Sequence, residues 1–181
     1  EGPSPHLLAG LVAERYGQLD QALAFVAVIH EVDPVRGGDY KQSSHILGHC
    51  VRGRVLQQLG QTAEAAAAFE AAVSQGEAVG VPLLVAFALR DLKLHILDDM
   101  GHGEHGSRRL GAVLRRLKDP AETFTPLLGG LDAVEMVAMA EPDASYEIVY
   151  AAAEDSAVVA LRKELDGLRL KDLRKKAKEL G

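Results

Sequence analysis

Along HLLAGLVAERYGQLDQALAFVAVI, which starts at His6, apolar positions return every three or four residues, pause at Tyr16-Gly17-Gln18, and resume. That spacing predicts two amphipathic helices joined by a glycine turn. A second stretch, HCVRGRVLQQLGQTAEAAAAFEAAV from His49, repeats the pattern 43 residues later. Gly10 falls on Gly53, the first turn on Leu59-Gly60-Gln61, and Ala22 on Ala65. Two helical hairpins are therefore expected. Residues 80 to 100 form a third apolar-periodic segment that closes on Met100-Gly101, with residues 107 to 117 as its partner helix. An offset of 41 sets Gly60 on Gly101 and is preferred to 43, which sets it on Gly103 and breaks the pairing of an apolar residue with glycine. TPLLGGLDAVEMVAMA and DASYEIVYAAA, split by Glu141-Pro142, make a degenerate fourth hairpin. The loop between the first two hairpins is assigned to residues 35 to 43, with Ser43 or Ser44 capping the helix that follows.

The aligned residues resemble the tetratricopeptide (TPR) pattern. In the second copy Gly53, Leu56, Gly60, Ala65, Phe69 and Ala72 occupy its six places; the first has Gly10, Ala13, Gly17 and Ala22, with Val26 where an aromatic is usual, and departs at Ile29. The resemblance implies an all-α fold, a right-handed TPR-like solenoid of three to four hairpins over residues 1 to 154. Each hairpin is too apolar to stand alone, so stacked neighbours share a core and leave a groove lined by the first helix of each pair. Gly10, Gly53, Ala22 and Ala65 are small to let the paired helices approach. Family positions facing the groove map to Leu7, Leu11, Glu14 and Arg15, then Leu47, Cys50, Arg54, Gln57 and Gln58, then Asp91, His95, Asp98 and Asp99, and finally Leu131 and Glu135. The expected groove is basic or neutral at one end and acidic at the other, a polarity that orients a charged peptide.

Composition supports helices packed on small side chains: 48% of the 181 residues are apolar, only 4% are aromatic, and there is no Trp. A single cysteine excludes an internal disulfide. No apolar run reaches the ~20 residues that span a bilayer, and the first residues lack a basic signal start, so a soluble chain is expected, cytoplasmic or in a plastid stroma. The net charge of −6 argues against general nucleic-acid binding. Its distribution is uneven, since residues 160 to 181 hold eight Lys or Arg against four Asp or Glu, a local +4 that leaves −10 elsewhere.

That basic segment, residues 155 to 181 of the expected division, carries leucines at 161, 165, 168, 170, 173 and 180 and closes on Lys-Glu-Leu-Gly. It resembles a SAP motif, a helix-extended-helix unit, and is similar to SAP-like tails of predicted algal proteins. The resemblance implies that Arg169, Lys171, Arg174, Lys175, Lys176 and Lys178 contact phosphates or dock a protein.

Two constellations invite a chemical reading. HILGHC sets His45 and His49 four residues apart, one helical turn, with Cys50 beside them, the spacing of a metal grip or a thiol-imidazole pair. His49 aligns with His6, however, at a position where the family packs a large side chain, and the packing reading is preferred. DDMGHGEHG gathers Asp98, Asp99, His102, Glu104 and His105 around three glycines without a recognised ligand spacing, and reads as a turn. The glycine pairs 37–38 and 129–130 lack the context of a phosphate loop and read as turn, helix-start or packing glycines. The resulting expectation is a non-enzymatic adaptor or scaffold, without cofactor or metal, that holds other proteins as part of a larger assembly. A linker subunit of a photosynthetic complex is one form of it. The alternative is a DNA-associated regulator whose tail binds nucleic acid while the repeats recruit protein.

Overall fold

A computed structural model describes residues 4–31, 39–117 and 123–140. The chain divides into units Glu1–Ser145 and Tyr146–Gly181, and the second lies outside the described residues. So do the SAP-like segment, the second limb of the fourth hairpin and Gly37-Gly38.

The described residues are all-helical: α1 (Pro5–Arg15), α2 (Leu19–Glu31), α3 (Asp39–Gln58), α4 (Thr62–Val79), α5 (Pro82–Leu92), α6 (Gly103–Leu114) and α7 (Ala133–Met139). A π-helical turn, Lys93–Leu97, prolongs α5, and a 3-10 turn, Thr125–Leu127, precedes α7. Each of α1 to α6 packs on the next in sequence, while α1 also meets α3 and α3 meets α5. No helix among the described residues is long and apolar enough to cross a membrane.

The turns repeat at atomic detail. Gly17, Gly60 and Gly101 all have left-handed backbones, with φ of +71°, +76° and +76°. After each, the next amide donates to the carbonyl five residues back: Gln18 to Ala13 at 2.8 Å, Gln61 to Leu56 at 2.9 Å, His102 to Leu97 at 2.7 Å. This helix-ending motif uses carbonyls that would otherwise lack partners, and only glycine enters it without steric cost.

Small residues sit where helices touch. Ala22 and Ala65 are wholly buried. A Cβ on Gly53 would lie 2.6 Å from the Phe69 ring, so α3 and α4 require glycine there. At Gly10 the nearest atom, on Val26, would be 3.5 Å away, an ordinary contact. Where Phe69 is replaced by Val26 the need for glycine relaxes with it. The first core cluster joins Leu7, Ala13, Ala22, Val26, Ile29, Val51 and Val55 across α1, α2 and α3.

Two sequence boundaries move. Helix α3 starts at Asp39, so residues 39 to 43 are helical and neither Ser43 nor Ser44 is an N-cap. Helix α6 starts at Gly103, which confines the turn before it to residues 98 to 102. Gly129 and Gly130, with φ of +63° and +96°, form a turn ahead of Asp132, whose carboxylate caps α7 by accepting from the amides of Val134 and Glu135.

Ion pairs link successive hairpins on two levels. Arg54 of α3 reaches Glu14 of α1 and Asp91 of α5. Arg109, in the middle of α6, and Arg116, just beyond its end, reach Glu70 and Glu77 of α4 at 2.5 and 2.8 Å.

Candidate functional site

Helices α1, α3 and α5 expose a concave surface between them, and a cavity of about 430 Å³ opens there. Its walls are Leu11, Leu47, Cys50, Val51, Arg54, Phe87, Arg90, Asp91, Leu94, His95 and Gly129. Six of these, Leu11, Leu47, Cys50, Arg54, Asp91 and His95, come from the groove positions mapped on the repeat. Helical periodicity explains the grouping: Leu47, Cys50, Val51 and Arg54 occupy successive turns of one face of α3, as do Phe87, Arg90 and Asp91 on α5, with Leu94 following in the π-helical turn.

Charge at the site is paired internally. Arg54 donates to both carboxylate oxygens of Glu14, from Nε at 2.6 Å and Nη2 at 2.8 Å, and from Nη1 to Asp91 at 2.6 Å. Asp91, almost fully buried, also accepts from Arg90 Nε at 2.8 Å and from Arg90 Nη2. Arg90 in turn donates to the Leu127 carbonyl at 3.0 Å. Burial opposes the charge on Arg54, but its hydrogen bonds to Glu14 and the field of Asp91 outweigh that and raise its pKa. Two guanidiniums and two carboxylates thus balance. The expected polarity, basic at Arg54 and acidic at Asp91, does not develop through these residues because they bond to each other.

The remaining groove positions lie elsewhere. Leu7 is buried in the α1–α3 core. Arg15 and Gln58 are exposed, and Gln57 half-buried, at the last turns of α1 and α3. Asp98 and Asp99 are exposed beyond the π-helical turn, where Asp98 holds the buried Lys93 ammonium at 2.6 Å. Leu131 is half-buried ahead of α7, and Glu135 is exposed on its first turn. Arg169, Lys171, Arg174, Lys175 and Lys178 are outside the described residues. Phe87, Arg90 and Leu94 were not singled out from sequence, because the groove positions were those the repeat resemblance implies, which are Asp91 and His95 in this stretch.

Around HILGHC the side chains separate into two environments. Cys50 faces the groove network; burial and the nearby Asp91 carboxylate push its thiol up to about 12, so it stays protonated. His49 turns instead to α2, where its ring stacks on His30 with centroids 4.0 Å apart, and His45 lies 5.5 Å from the same His30. His6, its counterpart in the repeat, is exposed. His30 has no titratable counterpart in the second repeat, so comparison of the two copies did not reveal it. Among the described residues no three His, Cys, Asp or Glu side chains are placed to share a metal ion.

No protein-family model, curated protein or solved structure matches the chain.

Proposed function

We propose that the chain is a TPR-like helical-repeat scaffold that binds a protein partner in the groove between α1, α3 and α5. The observation that carries this reading is the gathering of Leu11, Leu47, Cys50, Arg54, Asp91 and His95, spread over three hairpins, on one cavity. The contacts of α1 with α3 and of α3 with α5 support a stacked arrangement of hairpins. Leucines and Phe87 supply apolar surface, while the paired charges form a rigid floor. Affinity then comes from apolar burial, and orientation from polar groups at the rim.

The test is affinity capture from source-cell extract after nuclease treatment, comparing the native chain with Leu11→Arg and Leu94→Arg. Both residues line the cavity without being fully buried, so the variants place charge in the groove with little damage to the core. Proteins retained by the native chain and lost from both variants support the groove reading. Retention unchanged by either variant defeats it. Recovery that collapses on nuclease treatment moves the function to the basic tail and nucleic acid.

A further inference from the structure

At the far side of α3 from the groove, three imidazoles converge on the α2–α3 contact. His30 comes from α2, His45 and His49 from successive turns of α3. The His30 and His49 rings stack at 4.0 Å with 26° between their planes, while His45 is tilted at 46° and 5.5 Å. His30 Nε2 lies 3.4 Å from the His45 carbonyl, a long hydrogen bond that fits the Nε2–H tautomer. Two ring nitrogens, His45 Nε2 and His49 Nδ1, are buried without a hydrogen-bond partner. Neutral imidazoles tolerate this; a cation would require solvation or an acceptor.

On α3 the Arg52 guanidinium acts on both His30 and His49, and Lys41 shares a small cavity with His45. From α1, His6 lines that same cavity. No carboxylate of α2, α3 or α4 is among the groups acting on His30 or His49. Desolvation, the partner imidazoles and Arg52 hold His49 down to about 4 and lower His30 as well.

We infer that His30, His45 and His49 form an acid-released latch, in which protonation of the stacked rings drives α2 from α3 and loosens the first hairpin from the second. The proton goes to an imidazole nitrogen lacking one, and the resulting cations face each other and Arg52 with no anion between them. Opening lets water solvate them. The latch lies on the α2–α3 seam, beside a core cluster that includes Val26 and Ile29 of α2 and Val51 and Val55 of α3. It also governs Glu14, whose bond to Arg54 depends on α1 staying against α3. The opened state takes up protons near pH 6.5 and the closed state does so at about 4, so His49 alone raises the opening equilibrium about tenfold at pH 5.5 relative to pH 7.5. His30 adds to this in the same direction.

The test is hydrogen exchange of the full chain at pH 7.5 and 5.5, corrected for intrinsic rates, together with NMR titration of the histidine rings. The latch requires protection of α1 and α2 to fall about tenfold or more at pH 5.5 while α4 keeps its own. His49→Phe, which retains a flat ring but cannot titrate, should flatten that dependence. Protection of α1 and α2 that is unchanged with pH, or a fall that is equal in α4, overturns the proposal. So does an equal fall in His49→Phe. If that variant does not fold, the native titration decides: His49 titrating at 6.5 or above refutes the latch, and titration below 5 coupled to exposure of α2 supports it.

Discussion

At the scale of single residues, equivalent positions in the repeat carry different loads. Gly53→Ala forces a methyl to within 2.6 Å of the Phe69 ring, and overpacking of this kind costs about 1–3 kcal/mol, more than the ~1 kcal/mol that alanine gains over glycine in a helix. Gly10→Ala meets only an ordinary contact, so the helix gain prevails. Urea midpoints should therefore move down for the first variant and be unchanged or slightly raised for the second. Asp91→Ala should be worse than either, at about 3 kcal/mol, because it removes the shared acceptor of two partly buried guanidiniums. The sequence alignment placed both glycines on equal footing. It did not show that Val26 leaves room where Phe69 does not, since that depends on the distance across the helix pair.

At the scale of elements, the helix ends were the most legible feature. Gly17, Gly60 and Gly101 share a conformation dictated by local sterics, and local sterics are what a sequence states directly. The start of α3 was not legible, because turn formers upstream suggested a loop running to residue 43, whereas the helix begins at Asp39. The α6–α7 contact was equally hidden. A Cβ on Gly111 would fall 1.8 Å from the Met136 carbonyl oxygen, a clash with backbone that no rotamer relieves. Helix α7 is only seven residues long, so it should yield by undocking before α6 distorts. Gly111→Ala is expected to remove exchange protection from α7 while leaving α3 and α4 unaltered. Equal loss throughout would show that α7 is integral to the core.

At the scale of the whole molecule, stability should be greatest between about pH 6.5 and 9. Burial lowers the pKa values of His30, His49 and His105, so on the acid side the unfolded chain binds protons that the folded chain refuses. Stability is thus lost as pH falls below 6.5, down to about 4 for His49. Cys50 acts oppositely: its thiol is raised from 9.0 to about 12, so the unfolded chain ionises first and stability declines as pH rises above 9.0. Denaturant midpoints at pH 4.5, 7.5 and 10 test both limbs. Cys50→Ala should flatten the alkaline decline relative to the native chain, and His49→Phe the acid one. The sequence by itself determined the helical class and the glycine turns, because each follows from spacing along a helix or from local backbone sterics. Only the tertiary structure decided that Arg54 and Asp91 neutralise each other, that Cys50 and His49 face different neighbours, and that His30 joins the imidazoles of α3. Those outcomes depend on how far apart two helices lie and how they are rotated, and neither quantity is written in the order of residues along either one.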